Sequence, residues 1–297
     1  MKILITGASG YLGSCLADDL SQLYEIIGTS RKKTRQNLLP MDITKEDEVI
    51  KTFNEVKPDV IIHCVGISGK FNQDPSQATI VNVEGTRNII NGAREIGASV
   101  IYISSTAVFN GQDGPFKEED EPISTDIYAQ TKIEAERIVR TSGLRHVIIR
   151  PSLIIGNAPY GIEDKFPGQL MRAIMTNTPI EIDNEWLFAP SYNHHISQVI
   201  NWWLNNQETT SLLHVTSPEV TTKYQFAQRL GRELGIDISI FRPKDITGHS
   251  GDNILDANRL IELGAPIISL DQIVADFASE IRTGYSPEGV YKRSKEG

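Results

Sequence analysis

A glycine-rich turn lies between the first apolar segment of the chain and the first segment with helical periodicity. Residues 3–6 read Ile-Leu-Ile-Thr, and glycines follow at positions 7, 10 and 13, where a helix is expected to begin. A helix N-terminus offers free backbone N–H groups and the positive end of the helix dipole, so such a turn binds phosphate. Glycine permits the tight turn and the close approach of a pyrophosphate. The turn therefore predicts a dinucleotide site, with contacts from Gly7, Ser9, Gly10, Tyr11 and Leu12.

Strands and helices alternate through the first half of the sequence. Apolar runs predict strands at residues 3–6, 25–29, 60–65, 100–104 and 147–150. Amphipathic segments predict helices between them, at residues 11–23, 45–56, 77–96 and 128–142. Strands that are apolar throughout and separated by helices are typical of a parallel sheet covered on both faces. The sequence thus predicts a doubly wound α/β (Rossmann) sheet, whose ligands bind outside the C-terminal ends of the strands.

The alternation weakens beyond residue 156. Helices are predicted at residues 166–176, 195–205 and 223–234, and short strands at 179–182, 212–215 and 236–241. This pattern predicts a dinucleotide-binding domain at residues 1–155, to which residues 190–206 return. Residues 156–189 and 207–297 form a smaller, discontinuous α/β lobe in this interpretation. A crevice between two such lobes is a usual place for a substrate.

Charge and hydropathy argue against nucleic acid and membranes as partners. The net charge of −9 disfavours binding to nucleic acid or to an anionic membrane, and no apolar run reaches the length of about 18 residues that a membrane span requires. Strand-like sequence begins too early for a signal peptide, so a cytoplasmic location is expected.

No metal site is predicted either. The two cysteines, Cys15 and Cys64, have neither a disulfide framework nor metal-ligand spacing. The adjacent His194 and His195 are expected to point apart, at the surface or as caps, without a surrounding metal cluster. The acidic segment 117–121 is expected to be a solvated loop.

The end of the second predicted strand indicates which dinucleotide binds. NAD-binding units usually place Asp or Glu there to hold the ribose 2′-hydroxyl. Here the sequence places Ser30 and Arg31, followed by Lys32 and Lys33, which can bind a 2′-phosphate through a hydroxyl, a guanidinium and ammonium groups. We therefore expect NADP(H), although such a basic run can also be a solvated loop. Asp42 and Ile43, after a third short run, are expected to face the adenine.

Three side chains suggest a reaction. Tyr128 and Lys132 are four residues apart in a predicted helix and so share a face. A neighbouring ammonium lowers a tyrosine pKa from its usual value of about 10 towards a useful range. Ser105 follows a predicted strand and emerges at the ligand-bearing edge of the sheet. Because hydride transfer to a carbonyl builds negative charge on oxygen, Ser105 can hold that oxygen and Tyr128 can protonate it. Lys132 would tune the tyrosine and bind the nicotinamide ribose.

Several segments, in order, resemble the extended short-chain dehydrogenase/reductase family. They are residues 6–13, 59–63, 82–86, 103–109, 128–132 and 150–151. Residues 108–111, 128–136 and 253–256 are most similar to the dTDP-4-dehydrorhamnose reductase branch, which also includes the regulatory beta subunit of methionine adenosyltransferase.

This resemblance implies a role for further residues. It implies that Ser105, four residues before the aromatic Phe109, carries the catalytic hydroxyl, and that Cys64, Val65 and Gly66 contact the cofactor. A nucleotide-sugar substrate and a homodimer are implied as well. Two weaker substrate contacts are Thr106, beside the catalytic hydroxyl, and Arg172, which can bind a diphosphate.

Three hypotheses for the function stay open on this basis. The first is an NADPH-dependent reductase of a carbonyl, most plausibly that of a 4-keto nucleotide-sugar. The second is a nucleotide-sugar epimerase or dehydratase that retains its NAD(P); a dehydratase would also need Asp-Glu after the catalytic hydroxyl, where Thr106 and Ala107 stand. The third is a catalytically silent NADP-binding regulatory subunit.

Overall fold

The computed structural model describes residues 1–31, 37–67, 75–111, 114–158, 162, 165–206, 211–245 and 252–284. Strands and helices alternate through the first half, as predicted. The elements there are β1 (Lys2–Thr6), α1 (Tyr11–Leu20), β2 (Glu25–Ser30), β3 (Leu38–Pro40), α2 (Glu46–Val56), β4 (Val60–His63), α3 (Pro75–Thr79), a π-helix (Ile80–Glu84), α4 (Gly85–Ile96), β5 (Ser99–Ile103), a 3₁₀ helix (Thr106–Val108), α5 (Ile127–Arg140) and β6 (His146–Pro151).

Shorter strands and longer connections follow in the second half. The elements there are β7 (Ile154–Ile155), α6 (Phe166–Thr176), β8 (Ile180–Asp183), β9 (Leu187–Phe188), β10 (Ser191–Tyr192), α7 (Asn193–Asn205), β11 (Leu212–Val215), β12 (Thr221–Thr222), α8 (Lys223–Leu234), a second 3₁₀ helix (Ile238–Ile240), β13 (Phe241–Lys244), α9 (Asn258–Glu262) and α10 (Leu270–Gly284). No helix in the described ranges combines the length and the apolar character needed to cross a membrane.

The central sheet has seven strands in the order β11-β6-β5-β4-β1-β2-β3, and every neighbouring pair is parallel. Thr6 at the end of β1 is level with Thr29 of β2 on one side and with His63 of β4 on the other. The chain runs outward from β1 through β2 and β3 and then returns to the other side of β1 at β4. This reversal makes a crevice at the C-terminal strand ends, where doubly wound sheets bind ligands. The predicted Rossmann fold is confirmed.

Helices cover both faces of this sheet because its strands are apolar on both sides. On one face α1 and α7 pack through residues such as Leu16 and Ile200, which are fully buried. On the other face α2, α4 and α5 contribute Phe53, Ile89 and Val139. The glycine turn and the start of α5 are thereby held against the same edge of the sheet.

A second core lies beyond the sheet. It is built from α6, α8 and α10, which bury Leu170, Phe226 and Phe277. The short pairs β8–β13 and β9–β12 flank these helices, the first parallel and the second antiparallel. This cluster corresponds to the predicted smaller lobe.

The structure corrects three parts of the sequence interpretation. Strand β11 was assigned to the smaller lobe, but it pairs with β6 at the edge of the central sheet. The strand predicted at residues 236–241 is instead a 3₁₀ helix followed by β13, which begins at Phe241. The helix predicted at residues 77–96 is interrupted by the π-helix. The local sequence pattern indicates that a segment forms an apolar strand, but it does not indicate which distant strand that segment pairs with.

Candidate active site

The turn between β1 and α1 requires glycine at two positions. Gly7 has a φ of +70°, in the region that L side chains rarely adopt. A Cβ at Gly13 would lie 2.4 Å from the carbonyl oxygen of Gly7, so α1 can start this close to β1 only without a side chain there. The N–H of Gly10 donates to that same carbonyl oxygen at 2.9 Å. The turn therefore presents the N-terminus of α1 at the strand ends.

A first cavity of about 300 Å³ opens beside this turn. Ten of the residues predicted to contact a cofactor line it: Gly7, Ser9, Gly10, Ser30, Arg31, Asp42, Ile43, Cys64, Val65 and Gly66. Five lining residues were missed by the sequence analysis: Thr29, Met41, Thr44, Ile67 and Val81. Lys32 and Lys33 lie outside the described residues.

Two predicted cofactor contacts point elsewhere. The Leu12 side chain packs in the core between α1 and the sheet. The Tyr11 hydroxyl donates to the carbonyl oxygen of Gly156 at 2.7 Å, and its ring lines a second cavity. Neither side chain lines the first cavity, so a cofactor contact through their backbone N–H groups stays a prediction.

The second cavity, of about 480 Å³, lies between the central sheet and the smaller lobe and is lined by residues of both. Ser105, Thr106 and Tyr128 line it from the sheet side. The other lining residues are Tyr11, Ser152, Leu153, Ile154, Lys165, Phe166, Pro167, Trp186, Leu187, Phe188, Lys223 and Asn253. None of them was predicted from the sequence to line a substrate cavity. No local motif marks the residues of the smaller lobe, although Asn253 begins a segment with family resemblance.

Ser105 and Tyr128 both line this cavity, and the Ser105 side chain lowers the pKa of Tyr128. Ser105 is the N-cap of the first 3₁₀ helix, and its hydroxyl accepts from the N–H of Ala107 at 3.1 Å. Tyr128 lies in the first turn of α5, which Asp126 caps by accepting from the N–H of Ala129 at 2.9 Å. Two helix starts thus position the two hydroxyls.

Burial raises the pKa of Tyr128, and the neighbouring Ser105 side chain only partly opposes that rise. The sequence predicted that Lys132 would lower this pKa, so the direction of the shift was wrong. Desolvation of the phenolate outweighs the stabilising contacts. At neutral pH the hydroxyl therefore keeps its proton, which is the form a proton donor needs.

Lys132 is buried beneath the site, with 3% of its surface exposed. Its ammonium donates to the carbonyl oxygen of Ile103 at 2.7 Å and lies 4.4 Å from the centre of the Tyr102 ring. Burial lowers the pKa of Lys132 to about 8, although Glu136 and Cys64 oppose the shift. A Cβ at Gly66 would be 3.6 Å from this ammonium, so Lys132 lies next to a residue that lines the first cavity.

A buried ion pair supports α5 from below. The guanidinium of Arg150 donates twice to the Glu136 carboxylate, at 2.8 and 2.7 Å, and both side chains are fully buried. Ser104 donates to the same carboxylate at 2.6 Å. The pair therefore links α5 to the ends of β5 and β6, next to Ser105. The sequence analysis did not identify it.

The two weaker substrate candidates differ. Thr106 lines the second cavity, and its hydroxyl donates to the carbonyl oxygen of Asn253 at 2.7 Å. Arg172 is exposed on α6 and is not among the residues that line either cavity. Two lysines that were not predicted, Lys165 and Lys223, line the second cavity.

The histidine pair is not at the surface as expected. His195 is fully buried and hydrogen-bonds through Nε2 to the carbonyl oxygen of Pro266 at 2.8 Å. His194 is half-buried and lies beside Cys15 and Asp19 of α1, a grouping of potential ligands that the sequence did not indicate. His194 is far from Cys15 and Asp19 in sequence, and only the packing of α7 on α1 brings it beside them.

Comparison with known families gives one match over most of the chain. The profile of the RmlD substrate binding domain matches residues 1–250. The dTDP-4-dehydrorhamnose reductase of Escherichia coli is 25% identical over 250 residues, which cover 81% of each chain. The methionine adenosyltransferase 2 subunit beta of Pongo abelii is 24% identical over 249 residues, which cover 82% of this chain and 75% of that protein.

Solved structures share the same fold. The dTDP-4-dehydrorhamnose reductase of Bacillus anthracis, solved in complex with NADP, superposes with a TM-score of 0.83 at 24% identity, over 94% of this chain and 99% of that chain. The corresponding reductase of Yersinia enterocolitica gives a TM-score of 0.80 at 25% identity, again over 94% of this chain and 99% of that chain. Both superpositions include the smaller lobe as well as the sheet.

Proposed function

Because the chain belongs to the RmlD substrate binding domain family, within the extended short-chain dehydrogenases/reductases, we propose that it is an NADPH-dependent reductase of a carbonyl on a nucleotide-sugar. One observation carries the proposal above all. Ser105 and Tyr128 together line the second cavity, while Lys132 lies behind Gly66 in the wall of the first. Two hydroxyl donors in one cavity, next to a lysine beside the other, suit a reaction between a dinucleotide and a second molecule.

The first cavity fits NADP(H). The glycine turn leaves room for a pyrophosphate at the N-terminus of α1, and Arg31 stands with Ser30 at the end of β2, where a 2′-phosphate would lie. The solved relative from Bacillus anthracis contains NADP on the same fold. When bound, NADPH supplies the hydride that the carbonyl carbon receives.

The protein's own side chains perform the remaining steps. Ser105 donates a hydrogen bond to the carbonyl oxygen and holds it beside Tyr128. The Tyr128 hydroxyl gives its proton to that oxygen as negative charge develops there. The ammonium of Lys132 then stabilises the phenolate that remains and holds the nicotinamide ribose. Proton donation of this kind contributes about 10²–10⁴-fold to a rate.

The walls of the second cavity suit a nucleotide-sugar. Phe166, Trp186 and Phe188 offer apolar and aromatic surface, and the ammonium of Lys223 lies 5.0 Å from the centre of the Trp186 ring. Lys165 adds a second cation. Aromatic faces bind a planar base, and ammonium groups bind a diphosphate.

A screen of NADPH oxidation over 4-keto nucleotide-sugars tests the proposal, with NADH as the paired cofactor. We expect stoichiometric oxidation of NADPH with at least one of them. Tyr128→Phe should lose most of the turnover and keep NADPH binding, whereas Tyr24→Phe, remote from both cavities, should behave as the parent protein. Near-normal turnover of Tyr128→Phe would refute the mechanism. An epimerase or dehydratase would recycle its cofactor and give no net oxidation.

A regulatory role is the second candidate, favoured by the similarity to the methionine adenosyltransferase beta subunits. It requires tight NADPH binding without turnover across the whole panel, together with a partner that copurifies. The presence of Ser105, Tyr128 and Lys132 together favours the reductase over this candidate.

A further inference from the structure

Tyr11 extends from the glycine turn into the smaller lobe. It is the first residue of α1 and follows Gly10, which lines the first cavity. Its ring lines the second cavity and packs in the core of the smaller lobe, in the same cluster as Leu170 and Phe226. One side chain that starts beside the first cavity therefore forms part of the lobe on the other side of the crevice.

The Tyr11 hydroxyl makes a buried hydrogen bond where the chain passes from β7 towards α6. It donates to the carbonyl oxygen of Gly156 at 2.7 Å. Burial raises the pKa of Tyr11, so the hydroxyl keeps its proton and acts as the donor. Gly156 directly follows β7, and α6 is the first helix of the smaller lobe. The bond thus joins the start of α1 to the connection that enters that lobe.

Other contacts hold this connection in one conformation. Gly156 has a φ of +118°, which L side chains rarely adopt, and a Cβ there would overlap the Asn193 side chain. Asn193, the first residue of α7, donates to the carbonyl oxygen of Asn157. The N–H of Asn157 donates to Glu280 of α10 at 2.6 Å. The connection is therefore fixed from α1, α7 and α10, and of these three helices α1 is the one that begins at the glycine turn.

Cofactor binding should act on the Tyr11 hydrogen bond through the first turn of α1. A pyrophosphate at a helix N-terminus bonds to backbone N–H groups of the first helical turn, to which Tyr11 belongs. Such contacts restrict the backbone that carries the Tyr11 ring. A side chain whose backbone is already ordered loses less entropy when its hydroxyl bonds to Gly156. An occupied first cavity should therefore stabilise the contact between α1 and the smaller lobe.

We propose that Tyr11 is a positioning residue that couples occupation of the first cavity to the order of the smaller lobe. NADPH bound at the glycine turn strengthens the hydrogen bond from Tyr11 to Gly156 and holds the smaller lobe more firmly against α1. The second cavity, which the lobe helps to form, is thereby more ordered when the first is occupied. The inference deepens the proposed function, but it rests on NADPH binding alone and requires no turnover.

The competing explanation is a hydrogen bond that only stabilises the fold. Loss of such a bond would lower the stability of the protein to the same extent with and without NADPH. It would leave the effect of NADPH on the smaller lobe unchanged. The change that NADPH causes in the lobe therefore separates the two explanations, whereas stability alone does not.

Hydrogen exchange of the full chain, resolved by peptide and measured with and without saturating NADPH, tests the proposal. The reporters are α6 and α10, because neither helix contributes a residue to the lining of the first cavity. In the parent protein we expect NADPH to slow exchange in both helices about 2–10-fold, the factor that one hydrogen bond contributes. Tyr11→Phe keeps the ring and removes the hydroxyl, so it should bind NADPH and lose most of this slowing.

Tyr192→Phe is the matched control. The Tyr192 hydroxyl donates to Glu280, so this variant loses a hydrogen bond near the same connection that does not come from the glycine turn. It should keep the slowing caused by NADPH. Absence of slowing in the NADPH-bound parent overturns the proposal by itself. Full slowing in Tyr11→Phe, or an equal loss in Tyr192→Phe, overturns it as well.

These outcomes are distinct from failure of the proposed function. A parent protein that binds no NADPH contradicts the cofactor assignment and this inference together. Slowing that depends on the Tyr11 hydroxyl, in a protein without turnover, supports this inference and contradicts only the proposed reductase activity.

Discussion

The ammonium of Lys132 donates a 2.7 Å hydrogen bond to the carbonyl oxygen of Ile103, the last residue of β5. One buried cation thereby ties the α5 helix, which carries Tyr128, to the strand end that leads into Ser105. The same ammonium approaches Gly66 in the wall of the first cavity. Lys132 therefore joins the proposed proton donor to the proposed cofactor site, and its charge should govern activity.

Turnover should fall as pH rises through about 8, because the buried Lys132 ammonium loses its proton there. Lys132→Met should lower kcat by about 10²-fold or more, since the charge beside the reacting groups is gone. The residual activity of Lys132→Arg should lack the decline near pH 8, because a guanidinium stays charged. The measurement is kcat against pH. Lys223→Met, in the wall of the second cavity, should keep the parent dependence of kcat on pH. If all three variants show the decline near pH 8, that decline belongs to a group other than Lys132.

Arg31→Ala should weaken the preference for NADPH over NADH. A charge-assisted hydrogen bond contributes about 1.5–3 kcal/mol, so loss of the guanidinium should weaken NADPH binding about 10–100-fold. NADH binding should change little, because NADH has no 2′-phosphate. Titration with each cofactor measures both constants. Lys51→Ala, which removes an exposed cation from α2, controls for net charge; an equal loss for NADPH and NADH in Arg31→Ala would contradict the assignment.

Stability should fall as pH drops from about 6.5 towards 3. Burial lowers the pKa of His63 and of His214 to about 3, and the nearby cations Lys132 and Arg150, respectively, add to the effect. In this range the unfolded chain takes up a proton on each histidine and the folded chain does not. Each such histidine therefore removes up to about 1.4 kcal/mol from the free energy of unfolding per pH unit.

Urea unfolding at several pH values measures this slope. His63→Gln should reduce the dependence of the free energy of unfolding on pH by up to about 1.4 kcal/mol per pH unit. An unaltered slope in His63→Gln would mean that His63 titrates alike in the folded and unfolded chain.

The sequence located the strands and helices that carry the predicted site residues, because local patterns specify those elements. Neighbouring residues specify the strand or helix that positions each of these features. The turn at Gly7 comes after β1, Ser30 ends β2, and Tyr128 and Lys132 lie within α5. Local periodicity also located α6, β11 and α8 with the observed bounds.

Features that depend on distant packing could not be predicted in this way. The position of β11 in the sheet depends on its pairing with β6, some 60 residues earlier. Glu118 was expected in a solvated loop, but it is buried and accepts from the N–H of His214 at 2.9 Å. The Tyr128 pKa depends on burial as well as on the nearby Ser105 and Asp126. No local pattern in the sequence encodes these relations.

The buried pair of Glu136 and Arg150 gives a final test of how the site is supported. Glu136→Gln leaves the Arg150 guanidinium uncompensated in the interior, so it should lower the free energy of unfolding by about 3–5 kcal/mol. Arg150→Met should cost a similar amount for the converse reason. The double variant Glu136→Gln/Arg150→Met should lose much less than the sum, because it buries no unpaired charge.

Denaturant unfolding of the four proteins completes this cycle. The matched control is Glu134→Gln, which breaks the exposed pair of Glu134 and Arg137 on the same helix and should cost about 0–1 kcal/mol. Additive losses in the double variant would contradict a direct role of the pair. Ser104, which donates to Glu136 at 2.6 Å, precedes the proposed catalytic Ser105. Glu136→Gln should therefore also reduce kcat in the protein that remains folded, whereas Glu134→Gln should not.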